Sequence, residues 1–159
     1  MIEIHKIKNF FSQYNDSFER ESIVLLRGDG IQLYSKITNP ALDAQAIGAL
    51  ACGLWQAASA LSANSQIKNK EIDYRLSFDT SGSGVYILPV KVQTDELYLC
   101  AIYENLINPA LFKRNLQLIV QDLEALLKNK LNIKPAAQTR DEFLFDAISD
   151  EEMDSLFNF

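Results

Sequence analysis

The chain has 159 residues, 48% of them hydrophobic, which suits one globular domain with a short appendage. Residues 1–138 carry 14 basic and 14 acidic side chains, so the whole net charge of −6 lies in residues 139–159, where Arg140 stands against seven acids. A neutral body with an acidic end argues against nucleic acid as the main partner, because phosphate binding relies on clustered Lys and Arg.

In chain order, Ile4, Ile7, Phe10, Phe11 and Tyr14 recur at helical spacing and predict a first helix over about residues 2–18. Ser22–Arg27 reads as a strand, Gly28-Asp29-Gly30 as a turn, and Ile31–Lys36 as the hairpin partner. Asn39-Pro40 then predicts a helix over residues 40–63, with Asn as its cap and Pro in the first turn. Glu71–Asp79 alternates, with Tyr74, Leu76 and Phe78 on one face and Asp73, Arg75, Ser77 and Asp79 on the other. Thr80–Gly84 is a loop. Val85–Val92 is a fourth strand, in which Pro89 signals an edge or a bulge, and Leu97–Tyr103 is a fifth. Asn108-Pro109-Ala110-Leu111 repeats the start of the middle helix and opens a last one reaching about Lys130.

The middle helix is unusual because Ala44 to Ile67 contains no charge, whereas a surface helix normally keeps a charged face. Counting at about 100° per residue places Ile47, Leu50, Leu54, Ala57 and Leu61 on one stripe, expected to face the core. Ala44, Gly48, Cys52, Ser59 and Ala63 fall opposite, with Trp55 at the edge, and small residues there would let a second helix approach. The uncharged length is enough for a membrane span, but Gln45, Gln56, Asn64 and Gln66 make the composition wrong for one, so no span is expected.

The hairpin Ile23–Lys36 with its Gly-Asp-Gly turn, the small-residue helix and the ending of three strands and a helix resemble the Roadblock family of dynein-light-chain-like domains, over about residues 5–131. The resemblance implies an α/β sandwich over residues 1–134. A five-stranded antiparallel sheet, in the order α-β-β-α-β-β-β-α, would carry helices on both faces. It also implies a homodimer joined through the third strand, here Tyr74, Arg75, Leu76, Ser77 and Phe78, with the small-residue helices side by side. Bacterial and archaeal members often use that helix face as a platform for a small Ras-like GTPase. The gliding-motility member is a GTPase-activating protein that supplies no catalytic arginine and repositions groups on the GTPase. Carried across, the platform would be Ala41, Ala44, Gln45, Gly48, Ala49, Cys52, Trp55, Gln56 and Ser59. Trp55 departs from the small-residue pattern, as an anchor for a partner or as filler of the dimer seam.

The bland alternatives for local chemistry are stronger than the functional ones. Gly28-Asp29-Gly30 is what a hairpin turn needs, and Ser81-Gly82-Ser83-Gly84 lacks a phosphate-loop lysine and a following helix. His5 is the one histidine, so histidine-based catalytic groupings and multi-histidine metal sites are excluded; we expect no enzyme and no cofactor. Cys52 and Cys100 lie in apolar runs without a C-x-x-C pair, as buried thiols in a reducing compartment do. The charged start Met1–Lys6 does not read as a secretory signal, so a cytoplasmic protein is expected.

Residues 135–159 read as an acidic amphipathic tail. Thr139–Glu142 and Ser149–Glu152 are capping boxes, followed by Phe143, Leu144, Phe145 and Ile148, and by Met153, Leu156 and Phe157. Helices this short are unstable alone, which suits a segment docking on a basic, grooved partner or folding back on its own domain. The functional expectation is a non-catalytic homodimeric regulator or scaffold of a small Ras-like GTPase, in bacterial cell polarity or motility, with the tail docking to a second protein. The alternative is an acidic secretion-chaperone-like dimer holding an unfolded client, whose usual order puts three strands before the middle helix and two after. A ligand-sensing α/β domain ranks third, since no convergent polar pocket can be read.

Overall fold

A computed structural model describes residues 2–64, 74–93 and 95–129. Its elements are α1 (Ile4–Ser12), a 3-10 turn (Asn15–Ser17), β1 (Ser22–Arg27), β2 (Gln32–Lys36), α2 (Ala44–Asn64), β3 (Leu76–Asp79), β4 (Gly84–Lys91), β5 (Glu96–Tyr103) and α3 (Pro109–Asn129). The strands form one antiparallel sheet in the order β2-β1-β5-β4-β3. Among the described residues two strands precede α2 and three follow it, opposite to the order of the secretion-chaperone alternative.

Period-2 alternation splits the core into two layers. Ile23 and Leu25 of β1 point to one face, with Leu88, Leu97, Leu99 and Tyr103, under Phe11 of α1 and Leu116, Ile119 and Leu123 of α3. Val24 and Leu26 point to the other, with Ile87, Tyr98 and Cys100, under Ile47 and Ala51 of α2. The middle strands are therefore covered on both faces, which is why Ile23–Leu26 reads as an unbroken apolar run.

The bounds of two helices differ from expectation. The first helix stops at Ser12, and Asn15-Asp16-Ser17 makes a separate 3-10 turn whose Asn15 carbonyl accepts the Lys36 ammonium at 2.8 Å. The middle helix begins at Ala44, not at residue 40. Asn39-Pro40-Ala41-Leu42 closes a turn instead: the Ala41 N–H donates to Asn39 Oδ1 at 2.9 Å and the Leu42 N–H to the Asn39 carbonyl at 3.1 Å. Asp43 takes over as cap, its Oδ1 accepting the Gln45 N–H at 3.0 Å. Asn108 does cap α3, its Oδ1 accepting the Leu111 N–H at 3.0 Å with Pro109 in the first helical position.

Pro89 lies in β4 beyond the last pair with β3, Leu76↔Ile87, where the missing N–H disrupts no ladder on that side among the described residues. Glu71, Ile72 and Asp73, and the tail residues Phe143, Leu144, Phe145, Ile148, Met153, Leu156 and Phe157, lie outside the described residues.

Candidate functional site

The β1–β2 turn positions α2. Gly30 takes a φ of +85°, and its N–H donates to the Arg27 carbonyl at 2.9 Å, the geometry for which glycine is suited. Arg27 and Asp29 pair across the turn. The helix then rests on this turn with almost no side chain between. A Cβ at Gly48 would stand 2.7 Å from the Gly30 carbonyl oxygen and 3.2 Å from Leu26 Cδ2. One turn on, Cys52 Sγ donates to the Gly28 carbonyl at 2.9 Å. Trp55 follows, half-buried, its ring 4.9 Å from that of Tyr98 on β5. Burial, and then a hydrogen bond to Glu96, push the Tyr98 phenol up to about 12.

This close seat overturns much of the expected division of faces. Of the stripe assigned to the core, only Ile47 is buried; Leu50 and Leu61 are each 71% exposed, Leu54 is 45% exposed, and Ala57 is exposed. Gly48 is buried, and Ala44, Cys52 and Trp55 are half-buried, on the sheet side. The physical reason is local space: where the helix crosses the β1–β2 turn there is no room for a side chain at Gly48, so Gly48 and Cys52 turn inward there while Ile47, Ala51 and Trp55 pack on the sheet beside them. Of the expected platform, Gln45, Ala49, Gln56 and Ser59 remain exposed on α2, and Ala41 is exposed in the turn before it. Together with Ala46, Leu50, Gly53, Leu54, Ala57 and Leu61 they make a helix surface that is free of charge and largely apolar, with Gln45, Gln56 and Ser59 as its polar groups. By length and composition α2 could also cross a membrane, but its Ile47–Ala51 side lies on the sheet.

The two outer strands differ as edges. On β2, Leu25 opposes Tyr34 while Leu26 opposes Gln32, so the register shifts around Leu33 and the edge is bulged; it also carries Lys36. β3 is regular through all four of its pairs with β4, Leu76↔Ile87 to Asp79↔Gly84. Phe78 on it is 79% exposed, on the same side of the sheet as Leu76, which packs against the α2 layer. Tyr74 and Arg75 are exposed and precede the strand, which starts at Leu76.

The chain is similar to MglB of Myxococcus xanthus, at 17% identity and a TM-score of 0.64, over 81% of this chain and 94% of that one. It has the Roadblock fold. It is also similar to the gliding protein MglB of Thermus thermophilus, at 12% identity and a TM-score of 0.61 over 81% and 94% of the two chains. A Roadblock/LC7 domain from Streptomyces avermitilis matches at 16% identity and a TM-score of 0.56, over 67% and 84%. No protein-family model matches the chain, and no curated protein matches it by sequence.

Within this Roadblock fold, a polar cluster that sequence reasoning missed lies on the α3 side of β3. The Lys113 ammonium donates to Ser77 Oγ at 2.7 Å and pairs with the Asp79 carboxylate. The Tyr103 hydroxyl donates to the same carboxylate at 2.7 Å. Lys113 also lies 5.3 Å from the centre of the Tyr86 ring, whose hydroxyl accepts from Gln117 Nε2 at 2.9 Å. The signal in the sequence was the alternation itself, which puts Ser77 and Asp79 on one face, but their partner is on another element.

Proposed function

We propose that the chain is a non-catalytic homodimeric regulator or scaffold that binds a small Ras-like GTPase through the outer face of α2. The observation that carries this is the charge-free surface running from Gln45 past Leu50, Leu54 and Leu61, on a helix whose other side already rests on the sheet. Exposed apolar area of this kind mainly marks protein contacts. The Roadblock fold shared with two MglB structures, one of them a gliding protein, supports the choice of partner and a role in polarity or motility. The regular, Phe78-bearing edge of β3, set against the bulged edge of β2, supports β3 as the strand through which two copies join their sheets. In this reading any effect on GTP hydrolysis works by repositioning the GTPase's own groups, the setting is cytoplasmic, and residues 135–159 dock a further protein.

The test is titration calorimetry of the full chain against small Ras-like GTPases of its own cell, loaded with a non-hydrolysable GTP analogue. Saturable binding that Ala49→Arg and Leu54→Arg abolish, with the dimer intact, is the expected result. Binding that persists through both substitutions overturns the α2 platform. Gly48→Arg is unsuitable as a probe of this face because Gly48 is enclosed by Gly30 and Leu26.

A further inference from the structure

β3 has four residues, and its attachment is unusual for a strand over a core. A four-residue ladder on one side holds a strand weakly, so side chains must supply the rest. On the α2 side Leu76 is only half-buried and Phe78 is 79% exposed. On the α3 side, where β4 and β5 present Leu88, Leu97 and Leu99, β3 presents Ser77 and Asp79. Both are gripped by one cation, Lys113, from the first turns of α3. Asp79 is held a second time by Tyr103, and Lys113 is braced over Tyr86, which Gln117 fixes in turn. At the far end Gly84 admits the strand: a Cβ there would stand 2.3 Å from Asp79 Cβ, so the Asp79↔Gly84 pair closes only without a side chain.

We propose that Lys113 is the positioning residue of the pairing edge: by gripping alternate residues of β3 from α3, it holds the edge strand in the register that a second copy needs. This rests on the reading that two copies join through β3. The physical argument is local stability. An edge strand with little apolar burial opens at low free energy, and opening removes the backbone template a partner strand requires. A strand anchored by charge-assisted hydrogen bonds to two of its four residues keeps that template formed before the partner arrives, which lowers the ordering cost of association. The grip is on the face turned away from Leu76 and Phe78, so it leaves that side of β3 open.

The experiment uses the full chain. Sedimentation equilibrium gives the self-association constant, and hydrogen exchange gives the protection of individual amides in β3 and β5. The variants are Lys113→Met, Lys113→Arg and Phe78→Arg. We expect Phe78→Arg to dissociate the dimer. Lys113→Met should weaken it by about tenfold and speed exchange at Ser77 to Asp79, with Leu97 to Ala101 of β5 unchanged. Lys113→Arg, which keeps the cation, should restore both readouts. If Phe78→Arg dissociates the dimer and Lys113→Met does not, the role of Lys113 is overturned while the β3 interface stands. If the native chain is a monomer, or Phe78→Arg leaves the dimer intact, the β3 reading falls and the inference with it. If Lys113→Met loosens β5 as much as β3, Lys113 is merely part of the general core and the inference is overturned.

Discussion

Gly48 of α2 lies directly on Gly30 of the β1–β2 turn, so near that a Cβ on the first would stand 2.7 Å from the carbonyl oxygen of the second. This contact sets how closely the helix sits on the sheet, and therefore which of its residues are left outside.

Gly48→Ala and Gly53→Ala should consequently change stability in opposite directions. In an exposed helix interior, Gly to Ala stabilises by roughly 0.5–1 kcal/mol, and a Cβ at Gly53 meets nothing within 4 Å. At Gly48 the obstacle is backbone, which cannot swing aside, so overpacking should cost roughly 1–3 kcal/mol. Urea unfolding of the two variants checks the signs; stabilisation by Gly48→Ala would show that α2 is not seated as described.

The two Asn-Pro-Ala-Leu segments predict a second contrast. Asp43→Ala and Asn108→Ala each remove a helix cap and should each cost about 1 kcal/mol. Asn39→Ala removes a turn contact four residues ahead of Asp43 and leaves the α2 cap in place. Its cost should be smaller than either. Thermal unfolding of the three variants at one protein concentration gives the ranking.

The two cysteines, both free, should be distinguishable by thiol reagents. Burial pushes the Cys100 thiol from its ordinary 9.0 up to about 12, so almost none is thiolate near neutrality. In native protein at pH 8 Cys100 should therefore stay unmodified by a disulfide reagent, and react on addition of denaturant. The sign for stability follows: a folded pKa above the unfolded one stabilises fully below pH 9.0 and loses that contribution as pH rises from 9.0 toward about 12. Tyr98, raised from 10.0 to about 12, acts in the same direction. Native stability should fall across that alkaline range, and less steeply in Cys100→Ala at matched pH.

At the acid end the cluster on β3 sets the direction. The Lys113 ammonium first, then the Tyr103 hydroxyl, hold the Asp79 carboxyl below its ordinary 3.8. A lowered folded pKa contributes stability that is complete above 3.8 and is lost as pH falls through the lower folded value. Amide exchange in β3 should thus accelerate below pH 3.8 relative to β5, after correction for intrinsic rates. In Asp79→Asn that acid-induced difference should be absent.

The legible parts of the fold were those whose signal is local. Leu76 and Phe78 alternate with Ser77 and Asp79, and β3 follows. Leu116, Ile119, Leu123 and Leu127 recur at helical spacing, and the buried face of α3 follows. The inward face of α2 was not legible because the helix is apolar all round, so no charged side breaks the symmetry. Side-chain size was the remaining cue, and it misled: large residues normally mark the core, yet here the approach of Gly30, eighteen positions earlier, fixes Gly48 inward and leaves Leu50, Leu54 and Leu61 outside. Asn39 and Asn108 begin the same tetrapeptide, and what separates them is Asp43, a better-placed cap just downstream of the first. The cluster around Lys113 could not be read because Lys113 and Asp79 are 34 positions apart and meet only through the sheet.

The seat of α2 also bears on how such a chain can diversify. Its buried residues on the sheet are Ile47, Gly48 and Ala51, with Cys52 and Trp55 half-buried beside them, while Leu50, Leu54, Ala57 and Leu61 are exposed. Substitutions on the outer positions are therefore nearly invisible to folding and fully visible to whatever binds there. A lineage carrying this helix could exchange one binding partner for another through a few surface changes, with the architecture beneath left untouched.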